Sequence, residues 1–123
     1  MAKHLLAVIE LGGYPNFRRL YESLGFTVHV ETSVRNALRA MKKIEPAVIV
    51  AEFNFQSDFR DRTSSLESLL STVQRMPKCG VVIFYEQEFA HQLAKLTGQY
   101  PVTATLAFPI DEQELKSALL PLA

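Results

Sequence analysis

Pro46-Ala47-Val48-Ile49-Val50-Ala51-Glu52-Phe53-Asn54-Phe55 carries an unbroken apolar run from Ala47 to Ala51, with no polar residue alternating inside it. A strand wetted on one face alternates polar and apolar residues, whereas a strand covered on both faces does not. This run therefore predicts a central strand of a parallel sheet. Pro46 disfavours helix in the residue before it, so a helix arriving from upstream must stop there. Glu52 then falls at the carboxyl end of the strand.

Working upstream, Phe26 to Glu31 reads as a strand and Ser33 as the N-cap of a helix. Val34, Leu38 and Met41 repeat at i, i+4 and i+7 along that helix, which Glu45-Pro46 ends. Lys42 and Lys43 occupy its last turn, where the helix dipole favours cations. Further upstream, His4 to Ile9 is a strand and Gly12-Gly13 with Pro15 a turn. Phe17, Leu20, Tyr21 and Leu24 form one face of a helix closing at Gly25. Downstream, Ser64-x-x-Glu67 is a capping box for a helix with Leu66, Leu69, Leu70 and Val73 inward and Pro77 at its end. Gly80 to Tyr85 is the fourth strand. Phe89, Leu93 and Leu96 stripe a fourth helix ending at Gly98, and Val102 to Leu106 is the fifth strand. Asp111-x-x-Glu114 caps a last helix carrying Leu115, Ala118 and Leu119, with Pro121 behind it. Strand and helix alternate five times, which predicts an α/β protein with a doubly wound five-stranded parallel sheet, (βα)5.

At 123 residues the chain is expected to be a single domain, 1–123. Hydrophobic residues at 48% and charged residues at 21% exclude the composition of a disordered chain. Thirteen Lys plus Arg balance thirteen Asp plus Glu, so no overall field draws the protein to nucleic acid or to an anionic membrane. Arg18, Arg19, Arg35, Arg39, Lys42 and Lys43 read as solvated helix faces, without a helix-turn-helix or a stacking platform beside them. The one cysteine, Cys79, has no partner for an internal disulfide, and three scattered histidines make no zinc cluster with it. A reducing, cytoplasmic setting is expected. The apolar run from His4 to Ile9 is too short for a signal-peptide core, and no segment approaches the roughly 20 apolar residues that span a bilayer.

In a parallel sheet, ligands gather at the carboxyl ends of the strands. The informative positions are Ile9-Glu10-Leu11, Glu52, Tyr85-Glu86 and Phe108-Pro109. Gly12-Gly13 lacks the spaced glycines and the Gly-Lys-Ser/Thr pattern that cradle phosphates. No Ser/His/Asp or Cys/His order stands out, and Cys79 reads as a small buried or edge residue rather than a nucleophile.

Five βα units, the segment Pro46 to Phe55 and the segment Phe108-Pro109-Ile110-Asp111 resemble the receiver domain of two-component response regulators, over essentially the whole chain. The resemblance implies a flavodoxin/CheY-like fold. That family carries an acidic pair after the first strand, a phosphoacceptor Asp after the third, a Thr or Ser after the fourth and a Lys before a proline after the fifth. Here those places hold Ile9-Glu10, Glu52, Tyr85 and Phe108, and Thr105 stands at the family's aromatic switch position.

Phosphoryl transfer needs an in-line carboxylate, a Mg²⁺ held by several oxygens and a cation against the developing charge. Phe108 supplies no cation. Glu52 is one methylene longer than the acceptor, and a misplacement on the order of 1 Å can cost roughly a hundredfold in rate. The resemblance thus implies a degenerate phosphoacceptor pocket of Glu10, Glu52, Tyr85 and Phe108, with no catalytic residue, no enzyme activity and no resident cofactor. Glu10 and Glu52 are the candidate ligands for Mg²⁺ or Ca²⁺, but two carboxylates without a third ligand point to an unoccupied site. Glu52 is open to two readings, a fixed mimic of the charged, switched-on state or a solvated carboxylate at a strand end. Tyr85 and Phe108 are expected to fill the pocket and pack on each other. The Phe108-Pro109 bond is cis if it follows the family and trans if it follows proteins at large.

The stretch from Phe53 to Arg62 is about five residues longer than the family's corresponding loop. Phe55, Phe59 and Arg60 make it a candidate docking surface, since interfaces enrich aromatics and Arg. Phe53 and Phe55 folded back over the sheet end is the other reading. The family's output face, made by its fourth helix, fifth strand and fifth helix, would present His91 and Lys95, with Gln92, Gln99 and Lys116. The expected function is a phosphorylation-independent, protein-protein interaction module in bacterial signal transduction. Its partner is another signalling or regulatory protein, or a second copy through the same face; nucleic acid and membrane are not expected. Two alternatives remain at this point: a metal-dependent receiver switch keeping some phospho-type input, and a flavodoxin-like domain holding a small ligand in an aromatic pocket around Tyr85 and Phe108.

Overall fold

The computed structural model describes residues 3–9, 17–53, 66–76 and 78–123. Its elements in chain order are β1 (Lys3–Val8), α1 (Arg18–Ser23), β2 (Phe26–Glu31), α2 (Val34–Ile44), β3 (Val48–Glu52) and α3 (Leu66–Val73). They continue with β4 (Gly80–Tyr85), α4 (Ala90–Gln99), β5 (Ala104–Ala107) and α5 (Glu112–Leu119), with 3-10 turns at Gln87–Phe89 and Leu120–Leu122. All strands pair in parallel in the order β2-β1-β3-β4-β5. The doubly wound α/β architecture expected from the sequence is the one observed. Among the described residues no helix is long and apolar enough to cross a membrane.

The apolar run that predicted β3 is buried from Val48 to Ala51, and it splits by parity between two layers. Leu6, Val8, Ile49, Ala51, Val81 and Ile83 face α2, α3 and α4. Leu5, Ala7, Val48, Val50, Val82 and Phe84 face α1 and α5. Each fully buried Leu or Ile contributes about 1.5–3 kcal/mol over leaving it exposed. These central strands therefore hold both helical layers to one sheet.

Ser33 caps α2 as expected: its backbone is extended and its hydroxyl accepts a hydrogen bond from the Asn36 N–H at 3.1 Å. Ser33→Ala is expected to cost about 0.5–2 kcal/mol in urea unfolding, because that N–H loses its acceptor; an unchanged midpoint would show that water replaces it fully. Glu45, in the left-handed region at φ 45°, turns the chain out of α2 in front of Pro46. At the end of α1, Gly25 does the same at φ 96°, where a side chain would be strained. Asp111 caps α5 by accepting from the Gln113 N–H at 2.8 Å.

Besides shifts of one residue at β1 and β3, boundaries around α4 and β5 differ from the sequence reading. Phe89 lies in the 3-10 turn ahead of α4, and α4 runs through Gly98, which keeps helical backbone, to Gln99. The fifth strand begins at Ala104 rather than Val102. Thr103 receives the Val81 N–H on its hydroxyl at 3.0 Å and donates its own N–H to the Val81 carbonyl at 2.9 Å. A side chain thus holds the first rung, and the regular ladder starts one residue later, with Ala104 opposite Val82. The expected cap at Ser64, the Gly12-Gly13 turn and Pro77 lie outside the described residues.

Candidate functional site

The strand ends expected to carry the site meet along one edge of the sheet. Val8 lies opposite Ala51, Glu52 opposite Phe84, and Tyr85 opposite Ala107. Beyond the ladders, the Phe53 N–H donates to the Phe84 carbonyl and the Phe108 N–H to the Tyr85 carbonyl, both at 2.8 Å. The Ile9 N–H donates to the Glu31 carbonyl at 2.9 Å. Main chain therefore places Ile9 just past β1, Glu52 and Tyr85 at the ends of β3 and β4, and Phe108 just past β5 along one edge of the sheet, each strand about 5 Å from the next. Glu10, Phe55, Phe59 and Arg60 lie outside the described residues.

Glu52 is only 6% exposed, the one buried charged residue among those described. The solvated reading of its carboxylate is thereby corrected. The cause is its position: β3 is the middle strand, and Glu52 follows Val48 and Val50 onto the face covered by α1. There it lines a cavity of about 40 Å³ together with Ile9, Phe17, Tyr21, Val50 and Phe84. Phe17, just before α1, sets its ring edge-on to Phe84, with centroids 5.9 Å apart and planes at 75°. Burial pushes the Tyr21 phenol well above its ordinary value, so it stays protonated. Arg18 also lines this cavity and its Nε pairs with Glu22 at 3.2 Å, an i,i+4 contact.

Tyr85 and Phe108 take separate places. Tyr85 is half-buried against the α2–α4 layer, whereas Phe108 is 41% exposed. Their link runs through main chain, and among the described residues their rings form no pair. The expectation that they pack on each other is corrected, since β4 aims Tyr85 to one side of the sheet and Phe108 stands past the end of β5. The Phe108–Pro109 peptide is cis. Neither Tyr85 nor Phe108 lines the cavity beside Glu52.

On α4, His91 and Lys95 are exposed, as are Gln99 and, on α5, Lys116. Gln92 is half-buried instead, and its amide oxygen has no hydrogen-bond partner. Among the described residues, no three His, Cys, Asp or Glu side chains come together to hold a metal ion. Cys79 is partly buried, which pushes its thiol up to about 11, and its Sγ lies 3.5 Å from the Gly80 carbonyl. The neutral thiol it keeps near pH 7 is not the nucleophilic form. Sequence reading missed Phe17 and Phe84 as walls around Glu52; their signal was the shared parity of Val50, Glu52, Val82 and Phe84, legible once β3 and β4 are put in register.

Comparison with protein-family models and with curated proteins finds no match. Solved structures do match over nearly the whole chain. A signal receiver domain of an HD domain-containing protein from Pseudomonas fluorescens Pf-5 superposes with TM-score 0.77 at 19% identity, covering 99% of this chain and 94% of that one. A CheY-like response regulator receiver domain from Methylobacillus flagellatus gives 0.75 at 21%, covering 100% of both. The chemotaxis response regulator CheY4 of Vibrio cholerae gives 0.73 at 15%, again over 100% of both. At these identities the likeness is one of fold, and the fold of this chain is that of the CheY-like receiver domains.

Proposed function

We propose that this chain is a degenerate receiver, a pseudo-receiver that works without phosphorylation as a non-catalytic protein-protein interaction module in bacterial signal transduction. Two observations carry the reading: the carboxylate at the acceptor position, Glu52, is sunk into the α1 face of the sheet, and an exposed phenylalanine, Phe108, stands where the receiver resemblance puts a lysine. A phosphodonor and Mg²⁺ must both reach the acceptor oxygens, and a cation must face the developing charge. A 6% exposed side chain offers poor access, and Phe108 offers no charge. The exposed Phe108–Pro109 edge with His91 and Lys95 is the surface that another signalling or regulatory protein would contact, or a second copy would share. No resident cofactor is needed, and Mg²⁺ is dispensable. The small-ligand alternative, a pocket around Tyr85 and Phe108, gains no support from the cavity beside Glu52, which neither of them lines.

The test is an amide-shift titration by NMR with Mg²⁺ and then with beryllofluoride, which imitates a phosphoryl group on a carboxylate. The expected result is no movement at millimolar Mg²⁺ with beryllofluoride present. Shifts at Ile9, Glu52, Phe53, Tyr85, Glu86 and Phe108 that spread into α4, β5 and α5 would overturn it and restore the phospho-dependent switch.

A further inference from the structure

Away from the carboxyl edge, β1 and β2 bring two histidines together. His4 lies opposite Thr27 and Leu6 opposite His29, so the imidazoles are diagonal neighbours on one face of adjacent parallel strands. His4 Nδ1 and His29 Nε2 are 2.9 Å apart, with ring centroids separated by 5.0 Å and planes tilted by 48°. Their backbones are held by the β1–β2 ladder, and the His4 carbonyl also accepts the Ala47 N–H at 2.8 Å. Both side chains are half-buried, and β2 is an outer strand of the sheet, so solvent reaches the pair.

Two imidazoles at this distance share one proton: one ring N–H points at the lone pair of the other. Moving that proton to the far nitrogen of its own ring, a change of tautomer with no net loss of charge or proton, leaves two lone pairs facing one small volume. Metal–imidazole bonds run to about 2.0–2.1 Å, and two adjacent ligands of a square-planar centre stand √2 bond lengths apart, about 2.9 Å. The nitrogens already have that separation, and a modest turn of the rings makes their lone pairs converge. Square-planar or tetragonal nitrogen coordination is the preference of Cu²⁺ and Ni²⁺, and Cu²⁺ heads the affinity order for divalent ions.

We propose that His4 and His29 form a two-imidazole site for a divalent transition metal of the copper and nickel type, bridging β1 and β2. With no third His, Cys, Asp or Glu grouped with them among the described residues, water completes the coordination. The site is independent of the pseudo-receiver reading, being at the opposite end of β1 from Ile9. Metal bound there ties the outer strand to its neighbour and stabilises the fold by mass action.

The experiment titrates the full chain with CuCl₂ and maps paramagnetic loss of amide signals, alongside His4→Gln and His29→Gln. The expected result is saturable one-to-one binding, with early losses centred on residues 3–6 and 27–31 and reaching the adjoining residues 46–48, and a rise in melting temperature of several degrees. Each variant is expected to weaken binding at least tenfold while its metal-free melting stays close to that of the parent. Losses centred on His91, or affinity retained in His29→Gln, would overturn the proposal by placing the metal elsewhere. Should either variant fail to fold, the map of losses in the unaltered chain decides alone.

Discussion

Phe84→Ala is expected to lower stability by about 3–5 kcal/mol, the range for removing a buried phenylalanine. Phe84 is 4% exposed on β4, it meets Phe17 edge to face, and it walls the cavity beside Glu52. Truncation therefore enlarges a space that already exists, and each added cubic ångström of residual void costs about 24 cal/mol beyond the lost transfer energy. The enlarged space has a carboxylate on its wall and so can admit water, which moderates the loss at Glu52 but cannot replace the contacts of the ring. Urea unfolding of the variant against the parent checks it. A loss below about 1 kcal/mol would show that α1 closes onto the gap, outside the range for such truncations.

The second large effect separates two adjacent leucines. Leu119 is 0% exposed at the end of α5 and packs with Leu5, Val48, Val82 and Leu115, whereas Leu120 is 52% exposed in the turn that follows. Leu119→Ala is expected to cost about 2–5 kcal/mol, and Leu120→Ala to stay within about 0.5 kcal/mol. The same chemical deletion one position apart tests whether α5 is held by its inward stripe. Equal losses in thermal or urea unfolding would refute that arrangement.

Much of this was legible in the sequence because the signals were local or periodic. The uninterrupted run at Val48 to Ala51 announced a doubly covered strand, and Ser33 and Asp111 announced helix starts. What escaped depended on partners distant in the chain. A carboxylate at the end of β3 reads as solvated until Phe17 and α1, distant in the chain, are placed over it. Tyr85 and Phe108 read as one filling until strand parity separates them. Thr103 reads as strand until its hydroxyl takes the Val81 N–H in place of a main-chain carbonyl. The pairing of His4 with His29 requires the register of β1 against β2, and a shift of one residue would have sent the two rings to opposite faces.

The alternation along β3 and β4 also makes the carboxyl edge a fork. Glu52 shares a cavity wall with α1 and with Phe17 ahead of it, and Tyr85 packs against the layer of α2, α3 and α4. A contact that displaces one of them loads one layer directly and reaches the other only through the stiff sheet between. A substitution at Glu52 is therefore felt first in the packing of α1, and one at Tyr85 first in the packing of the opposite layer.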